Sequence, residues 1–498
     1  MTFLYTNSQI RELEELTITN EVMNEDQLME NAGFAAFTKL KQLWPNAEKI
    51  TVVCGKGNNG GDGFVVARLA HEAGMTVNVF AIADVTELKG AALTACNKAH
   101  DGGVTFTCYQ PEMCFDGDVI VDGLLGSGLK GEVIEPFKTC IDAINHSQAP
   151  VLALDVPSGI DVDTGCILGV AVAAHATITF IGFKQGLFTH SARAMCGEIF
   201  LDDLAIPKEL LIKVEHSGEL LTWDDIKPLL PRRARDAYKG DYGHVCVIGG
   251  DYGMGGAVRM AAESAMRIGA GLVTVATRPE HVSIVSGMRP EVMCHRCCNG
   301  DELREILQRV TTIVIGPGLG KSEWAQELLE VVFESELPKV LDADALNMLS
   351  QAPRPCDHWV LTPHPGEAAR LLHCGTGDVQ QDRFTAAREI QHQYDGVIVL
   401  KGAGTIIEGP SDIPYVCPAG NPSMATGGMG DILSGMIGGL LAQGLELERA
   451  AEAAVFIHAR AADKAAEEQG ERGMLASDVL HYLPELINPY MQLSNKGS

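Results

Sequence analysis

Twice along this chain, short runs of β-branched residues alternate with helical patterns, and that alternation limits the fold more than any other feature. In the first stretch Ile50–Cys54, Val77–Ile82, Val119–Asp122, Val151–Asp155 and Thr177–Ile181 read as strands, with helices over Asp62–Ala73 and Glu87–Ala99. Pro207, a charged segment, Pro228 and Pro231 then interrupt the pattern. It restarts with strands at His244–Ile248, Leu272–Ala276, Thr312–Ile315, Val340–Asp342, Trp359–Leu361 and Val397–Leu400. Helices read at Gly256–Ile268, Gly366–His373 and Asp431–Ala442. Strands separated by helices are joined by crossovers, which make parallel sheets covered on both faces. The expected fold class is α/β, with two three-layer domains over residues 1–212 and 226–498 and a linker at 213–225. The halves share a class but no repeated motif.

With 498 residues, 46% of them hydrophobic, the chain can bury two sizeable cores. No apolar run of ~18 residues is free of glycine and charge, so no membrane-spanning helix is expected. Met1 to Arg11 lacks the basic-then-apolar order of a secretory signal, and a cytoplasmic location is expected. The formal charge of −27 repels phosphate backbones and anionic membranes, which argues against nucleic acid and membrane surfaces as partners. A phosphorylated ligand would have to be held by helix N-termini, glycine loops and single lysines. The 14 cysteines follow no framework and read as reduced thiols. Cys294, Cys297 and Cys298, with His295 nearby, lack a second C-x-x-C, so no zinc site is expected. The basic run Arg232, Arg233, Arg235 reads as a solvated face, and Ala450–Ala466 as a buried packing helix.

The first chemical constellation is Gly55-Lys56-Gly57-Asn58-Asn59-Gly60-Gly61-Asp62-Gly63, after a strand and opening a helix. Gly55, Gly57 and Gly60 fit the dinucleotide-binding G-x-G-x-x-G, and Asp84 ends the next strand. Asn58 and Asn59 make this loop more polar than a pyrophosphate requires. Asp62 at the helix start would favour the helix dipole and oppose a phosphate. Three further polar strand ends converge with it: Asp122-Gly123, Asp155-Val156-Pro157-Ser158-Gly159, and Lys184. Asn59, Asp122 and Ser158 supply hard oxygen ligands suited to a monovalent cation. N-N-G-G-D-G, then D-x-x-x-G-x-G-L, then D-x-P-S-G resembles the NAD(P)H-hydrate epimerase family, and Leu28-Met29-Glu30-Asn31-Ala32-Gly33 matches its opening helix. The resemblance spans residues 8–212 and implies a Rossmann-like fold with K⁺ held by Asn59, Asp122 and Ser158. It implies a substrate site lined by Asn58-Asn59-Gly60-Gly61-Asp62, Gly126-Ser127-Gly128-Leu129-Lys130-Gly131-Glu132 and Asp155. Epimerisation at the hydrated ring carbon needs proton transfers. Asp155 is the expected base and Lys184 the expected acid, although Phe183-Lys184 stands where the family commonly has Pro-Lys.

The second constellation begins with Gly249-Gly250-Asp251-Tyr252-Gly253-Met254-Gly255-Gly256-Ala257. Gly316-Pro317-Gly318-Leu319-Gly320-Lys321-Ser322 is not a Walker A loop, because Ile315 stands where its first glycine belongs. The most informative segment is Asn421-Pro422-Ser423-Met424-Ala425-Thr426-Gly427-Gly428-Met429-Gly430-Asp431. Bare backbone N–H groups before an apolar helix form an anion hole for a phosphoryl group, and Asp431 stands where a general base belongs. With Asp342-Ala343-Asp344, Thr362-Pro363-His364-Pro365-Gly366-Glu367 and Lys401-Gly402-Ala403-Gly404-Thr405 in order, residues 226–490 resemble the NAD(P)H-hydrate dehydratase family, a ribokinase-like fold. That resemblance implies substrate contacts at Ala257, Gly318, His364 and Asp431, and nucleotide contacts at Lys401, Gly402, Ala403, Gly404, Thr405 and Gly430. It implies ADP with Mg²⁺ as co-substrate, hydrated NADH or NADPH as substrate, and a homo-oligomer. The competing reading is a ribokinase-like small-molecule kinase fused to a dinucleotide-binding regulatory domain. It predicts a stable phosphorylated product. A third is an N-terminal half that only binds a partner protein.

Overall fold

The computed structural model describes residues 2–82 and 84–489. They divide into two compact units, one of Phe3–Gly218 and one running from Glu219. Residues 1, 83 and 490–498, inside the expected domain spans, lie outside the described residues.

In the first unit a parallel seven-stranded sheet runs in the spatial order Phe106–Cys108, Thr76–Ala81, Lys49–Cys54, Val119–Gly123, Val151–Leu154, Ala176–Phe180, Glu198–Asp202. Side chains alternate across a strand. Val52 and Cys54 therefore enter the core under the helices Glu25–Leu43, Asn58–Glu72 and Gly90–Asp101, while Val53 enters the opposite core with Cys140, Ile141 and Ile144. Burial on both faces explains why these strands read as continuous apolar runs. The strand order reverses between Lys49–Cys54 and Val119–Gly123. At such a switch point the following loops part and leave a crevice at the carboxyl ends.

The second unit has the same order of reversal. Its sheet runs Met293–Arg296, Leu272–Thr277, His244–Ile248, Thr312–Ile315, Lys339–Leu341, Trp359–Leu361, Val397–Leu400, all parallel. Thr405–Glu408 and Tyr415–Cys417 then add antiparallel. The helix Met429–Ala442 is buried on nearly every side, as its apolar sequence requires. Its glycines allow the approach: a Cβ on Gly435 would stand 2.0 Å from the Ala261 carbonyl oxygen, and one on Gly438 2.3 Å from Val314.

The boundary between the two units, between Gly218 and Glu219, falls inside the segment 213–225 expected as a linker, and that segment is packed on each side of it. Val214 is buried in the first unit, Glu219 and Leu220 pair with Tyr415 and Val416, and Leu221 and Ile226 are buried in the second core. Apolar residues spaced through that segment outweigh its charges. Helices also begin earlier than read, at Asn58 and Met429. Asp62 and Asp431 therefore sit inside their helices rather than at the first position. The short strands Phe106–Cys108, Glu198–Asp202 and Met293–Arg296 were not read, being partly exposed and without apolar periodicity.

Candidate active sites

At the switch point of the first unit, a Cβ on Gly55 would lie 1.9 Å from the Leu124 carbonyl oxygen, and one on Gly60 2.0 Å from that of Gly55. Close backbone packing therefore requires these two glycines, with no need of a pyrophosphate. Asp84 caps the short turn Val85–Glu87 by accepting from the Thr86 N–H at 2.9 Å.

Asn59, Asp122 and Ser158 meet around Leu125. Asn59 Nδ2 donates to the Leu125 carbonyl at 3.0 Å, and Ser158 Oγ accepts from the Leu125 N–H at 2.8 Å. Asp122 is fully buried and accepts from Ser158 Oγ at 2.6 Å, Ser158 N at 2.9 Å and Leu124 N at 3.2 Å. Burial nonetheless pushes its carboxyl up to about 6. Asn59 Oδ1 is buried with no hydrogen-bond partner among the described residues. A buried carboxylate beside an orphaned amide oxygen, with only oxygen donors around, fits a hard cation better than a soft metal.

Asp155 follows the strand Val151–Leu154 with φ at +63°, a conformation aspartate tolerates better than most side chains. Its Oδ1 accepts from Lys184 Nζ, and from Thr179 Oγ1 at 3.3 Å. Lys184 is 1% exposed, and its Nζ also donates to Thr179 Oγ1 and the Phe180 carbonyl, each at 2.9 Å. An ammonium has three donors, and all three are engaged within the protein. Two further carboxyls gather here. Asp62 is buried, and desolvation, then the charges of Asp155 and Glu14, push it well above the usual range against the pull of Lys184. Glu14, on the helix Asn7–Thr19, is pushed up by burial and then by Asp155. Glu14 was missed in the sequence. The signal was present: with Ile10, Leu13 and Thr17 it completes a helical stripe whose other members are buried. In the loop beyond Asp122, Gly126 abuts Asn59 (a Cβ would stand 3.1 Å from Asn59 Cβ), and Ser127 accepts from Asn7 Nδ2 at 2.8 Å. Leu129 is half-buried, while Gly128, Lys130, Gly131 and Glu132 are exposed.

In the second unit, loops after successive parallel strands converge on Lys401. Its Nζ donates to Asp342 Oδ1 at 2.8 Å and lies 3.8 Å from Glu367 Oε2. Asp342 also accepts from Ser434 Oγ at 2.7 Å. Burial works against its charge, but Lys401 and these bonds hold its carboxyl below the usual range. Asp431 lacks such a partner. Burial, then Asp342, push it up to about 7, with Lys401 opposing. A Cβ on Gly430 would stand 3.3 Å from Lys401 Nζ and 3.4 Å from Asp342 Oδ2, so Gly430 and Lys401 share one space. Gly318 has φ at +55°, and a Cβ there would meet Ala257 Cβ at 3.2 Å, which brings those two expected contacts together. His364 caps the helix Pro365–Leu371: its Nδ1 accepts from the Gly366 N–H at 3.0 Å, leaving Nε2 the protonated nitrogen of a neutral ring. Burial, then Lys401 and Arg370, hold its pKa down. Gly402 and Ala403 are exposed, and Thr405 Oγ1 donates to the Gly402 carbonyl at 3.1 Å.

Asp342 and Glu367 were quoted as motif residues but given no role. Arg383 was not singled out at all. It is 1% exposed and donates to the carbonyls of Leu400 at 3.1 Å, Gly404 at 3.2 Å and Lys401 at 3.4 Å, tying the Lys401–Thr405 loop from beneath. Among the described residues no cluster of His, Cys, Asp and Glu could hold a metal ion, and Cys297 is simply buried.

Two α/β units on one chain, each with polar groups gathered on the loops that follow its parallel strands, are the architecture of a bifunctional enzyme, one half Rossmann-like and the other ribokinase-like. Residues 25–186 match the family described as YjeF-related protein N-terminus, and residues 245–485 the family described as NAD(P)H-hydrate dehydratase. The chain is 58% identical over 489 residues to the bifunctional NAD(P)H-hydrate repair enzyme Nnr of Coxiella burnetii, covering 98% of this chain and 100% of the relative. It is 42% identical over 475 residues to the Nnr of Escherichia coli K12, covering 93% and 90%. Among solved structures, an ADP/ATP-dependent NAD(P)H-hydrate dehydratase from Bacillus subtilis, co-crystallized with ATP/Mg²⁺, is similar with a TM-score of 0.50 and 31% identity, covering 55% of this chain and 98% of that one. The chain belongs to the bifunctional NAD(P)H-hydrate repair enzyme family. No helix among the described residues is long and apolar enough to cross a membrane.

Proposed function

We propose that this chain repairs hydrated NADH and NADPH, its first unit interconverting the R and S epimers and its second dehydrating the S epimer with ADP. The observation that carries the reading is Asp431, a carboxyl held at about 7 beside the Lys401–Asp342 pair at the start of a helix. A base poised near neutrality both holds the right protonation state and retains the drive to accept a proton. Asp431 takes the proton of the ring hydroxyl, and that oxygen attacks the terminal phosphoryl of Mg²⁺-ADP, displacing AMP. The carbon–oxygen bond then breaks, and phosphate leaves with its electron pair. The ring nitrogen stabilises the resulting cation, and loss of a proton from the adjacent carbon restores the double bond. The first N–H groups of the helix Met429–Ala442 have no partner within it, and with Lys401 they hold the phosphoryl charge in place. Lys401 to Thr405 and Gly430 hold the nucleotide; Ala257, Gly318 and His364 hold the hydrate.

In the first unit Asn59, Asp122 and Ser158 would hold K⁺, with the Leu125 carbonyl beside them. Bound there, the ion would neutralise the buried Asp122 and fix the loop Gly126–Glu132 over the substrate. Asp155 acts as base at the ring hydroxyl. The chain is read as a cytoplasmic homo-oligomer, which sedimentation would check. The central test mixes protein with both epimers of hydrated NADH, Mg²⁺, K⁺ and ADP or ATP, and follows NADH absorbance. Complete conversion with AMP and phosphate released is expected. A stall near half conversion overturns the epimerase assignment. A stable phosphorylated product supports the kinase reading instead.

A further inference from the structure

We propose that Asp62 is the proton donor of the epimerase, acting opposite Asp155, and that Lys184 is a positioning residue. The inference rests on the epimerase reading and assigns the acid within that site.

Hydration of an enamine places the hydroxyl on the carbon bonded to nitrogen, so the hydrate is a carbinolamine. Its epimers interconvert when the ring opens and recloses. Asp155 takes the hydroxyl proton, the carbon–nitrogen bond breaks with its electron pair moving to nitrogen, and an acid must protonate that nitrogen. The product is an open aldehyde. Rotation about the adjacent carbon–carbon bond presents its other face. Nitrogen then attacks, the spent acid takes the N–H proton back, and Asp155 returns its proton to oxygen. Nothing is gained or lost over the cycle, so two groups of opposite protonation state suffice.

Lys184 does not fit the acid's part. It is 1% exposed and its three donors already serve Asp155, Thr179 Oγ1 and the Phe180 carbonyl. Handing over a proton would break a buried bond and leave Asp155 uncompensated. What Lys184 does is hold the Asp155 carboxyl in place. Asp62 is the opposite case. It is 8% exposed, within the loop-and-helix segment that opens this site, and among the described residues no hydrogen bond or ion pair compensates its carboxyl. The groups acting on it from neighbouring elements are Asp155, Glu14 and Lys184, and it in turn acts on Cys54. Asp62, Glu14 and Asp155 are three carboxyls sharing this site with the Lys184 ammonium and, at Glu14, the Arg11 guanidinium, and with so little water they cannot all be ionised cheaply. Asp155 owns the lysine, so protons settle on Asp62 and Glu14. The loop that counts against a phosphate because it carries an acid carries that acid in its neutral form.

The test uses the full chain without nucleotide, following conversion of purified R epimer to S, with thermal unfolding by circular dichroism as the folding control. For Asp62→Asn the expectation is a fall in kcat of at least ~10²-fold, with KM little changed. Lys184→Met should also slow the reaction, but its pH profile should keep an alkaline limb, which Asp62→Asn should lose. Glu14→Gln, removing one negative neighbour, should move that limb to lower pH. Retention of kcat in Asp62→Asn, or an alkaline limb lost in Lys184→Met and kept in Asp62→Asn, overturns the inference. If wild-type protein does not epimerise the hydrate at all, the epimerase reading itself fails, and the two failures are thereby distinct.

Discussion

Replacing Asp431 by Asn should inactivate the dehydratase and at the same time stabilise its unit, by an amount that depends on pH. The carboxyl is pushed up to about 7 in the folded state by burial and by Asp342. In the unfolded chain it titrates near 3.9. Its folded value is raised, so the folded state binds the proton more tightly. The protonated form is fully favourable below the unfolded value, and stability is lost as pH rises from there to about 7. Each unit of difference is worth ~1.4 kcal/mol, and between pH 5 and 7 the wild type should lose ~3 kcal/mol that the Asn variant keeps. Losing a negative charge in the first turn of the helix costs ~0.3–1 kcal/mol and leaves the sign intact. In melting temperature the gap between variant and wild type should widen by roughly 6–12 °C from pH 5 to pH 8. Thermal unfolding across that range, paired with ADP-dependent return of NADH absorbance, measures both sides. A gap independent of pH, or one that closes toward pH 8, would refute the base assignment's physical footing. So would a variant that keeps its dehydratase rate.

Asp342→Asn removes a carboxylate that raises Asp431 and leaves Lys401 opposed by Glu367 alone among its ion-pair partners, so the acid limb of dehydratase activity should move below 7; a limb that stays or rises contradicts the geometry. Gly430→Ala places a methyl 3.3 Å from Lys401 Nζ, and the KM for ADP should rise by ~10-fold with folding unchanged by circular dichroism. Ser158→Ala leaves the buried Asp122 short of a hydroxyl donor, which should cost ~1–3 kcal/mol of stability and weaken any K⁺ dependence of epimerisation, read by exchanging K⁺ for tetramethylammonium. Arg383→Leu unties the carbonyls of Leu400, Lys401 and Gly404, so ADP affinity should fall while epimerisation is untouched.

The sequence by itself determined the class of each half, the order of its elements and the loops that carry chemistry. Those are local matters: strand and helix periodicities repeat within a few residues, and glycine-rich turns at strand ends are contiguous. Gly427-Gly428-Met429-Gly430-Asp431 could be recognised because five neighbours in the chain make the anion hole together. The tertiary structure alone decided which charges face one another. Asp342 and Lys401 pair across a long separation, while burial, and then the nearby Asp342 charge, lift Asp431 to about 7. Glu14 lies far in sequence from Asp62 and Asp155, and Arg383 reaches the Lys401–Thr405 loop from a helix with no motif of its own. Short edge strands escape the sequence pattern for the same reason, since partners supplied by another part of the chain settle their conformation. Protonation state and pairing depend on burial and on distance through space, and one-dimensional spacing carries neither.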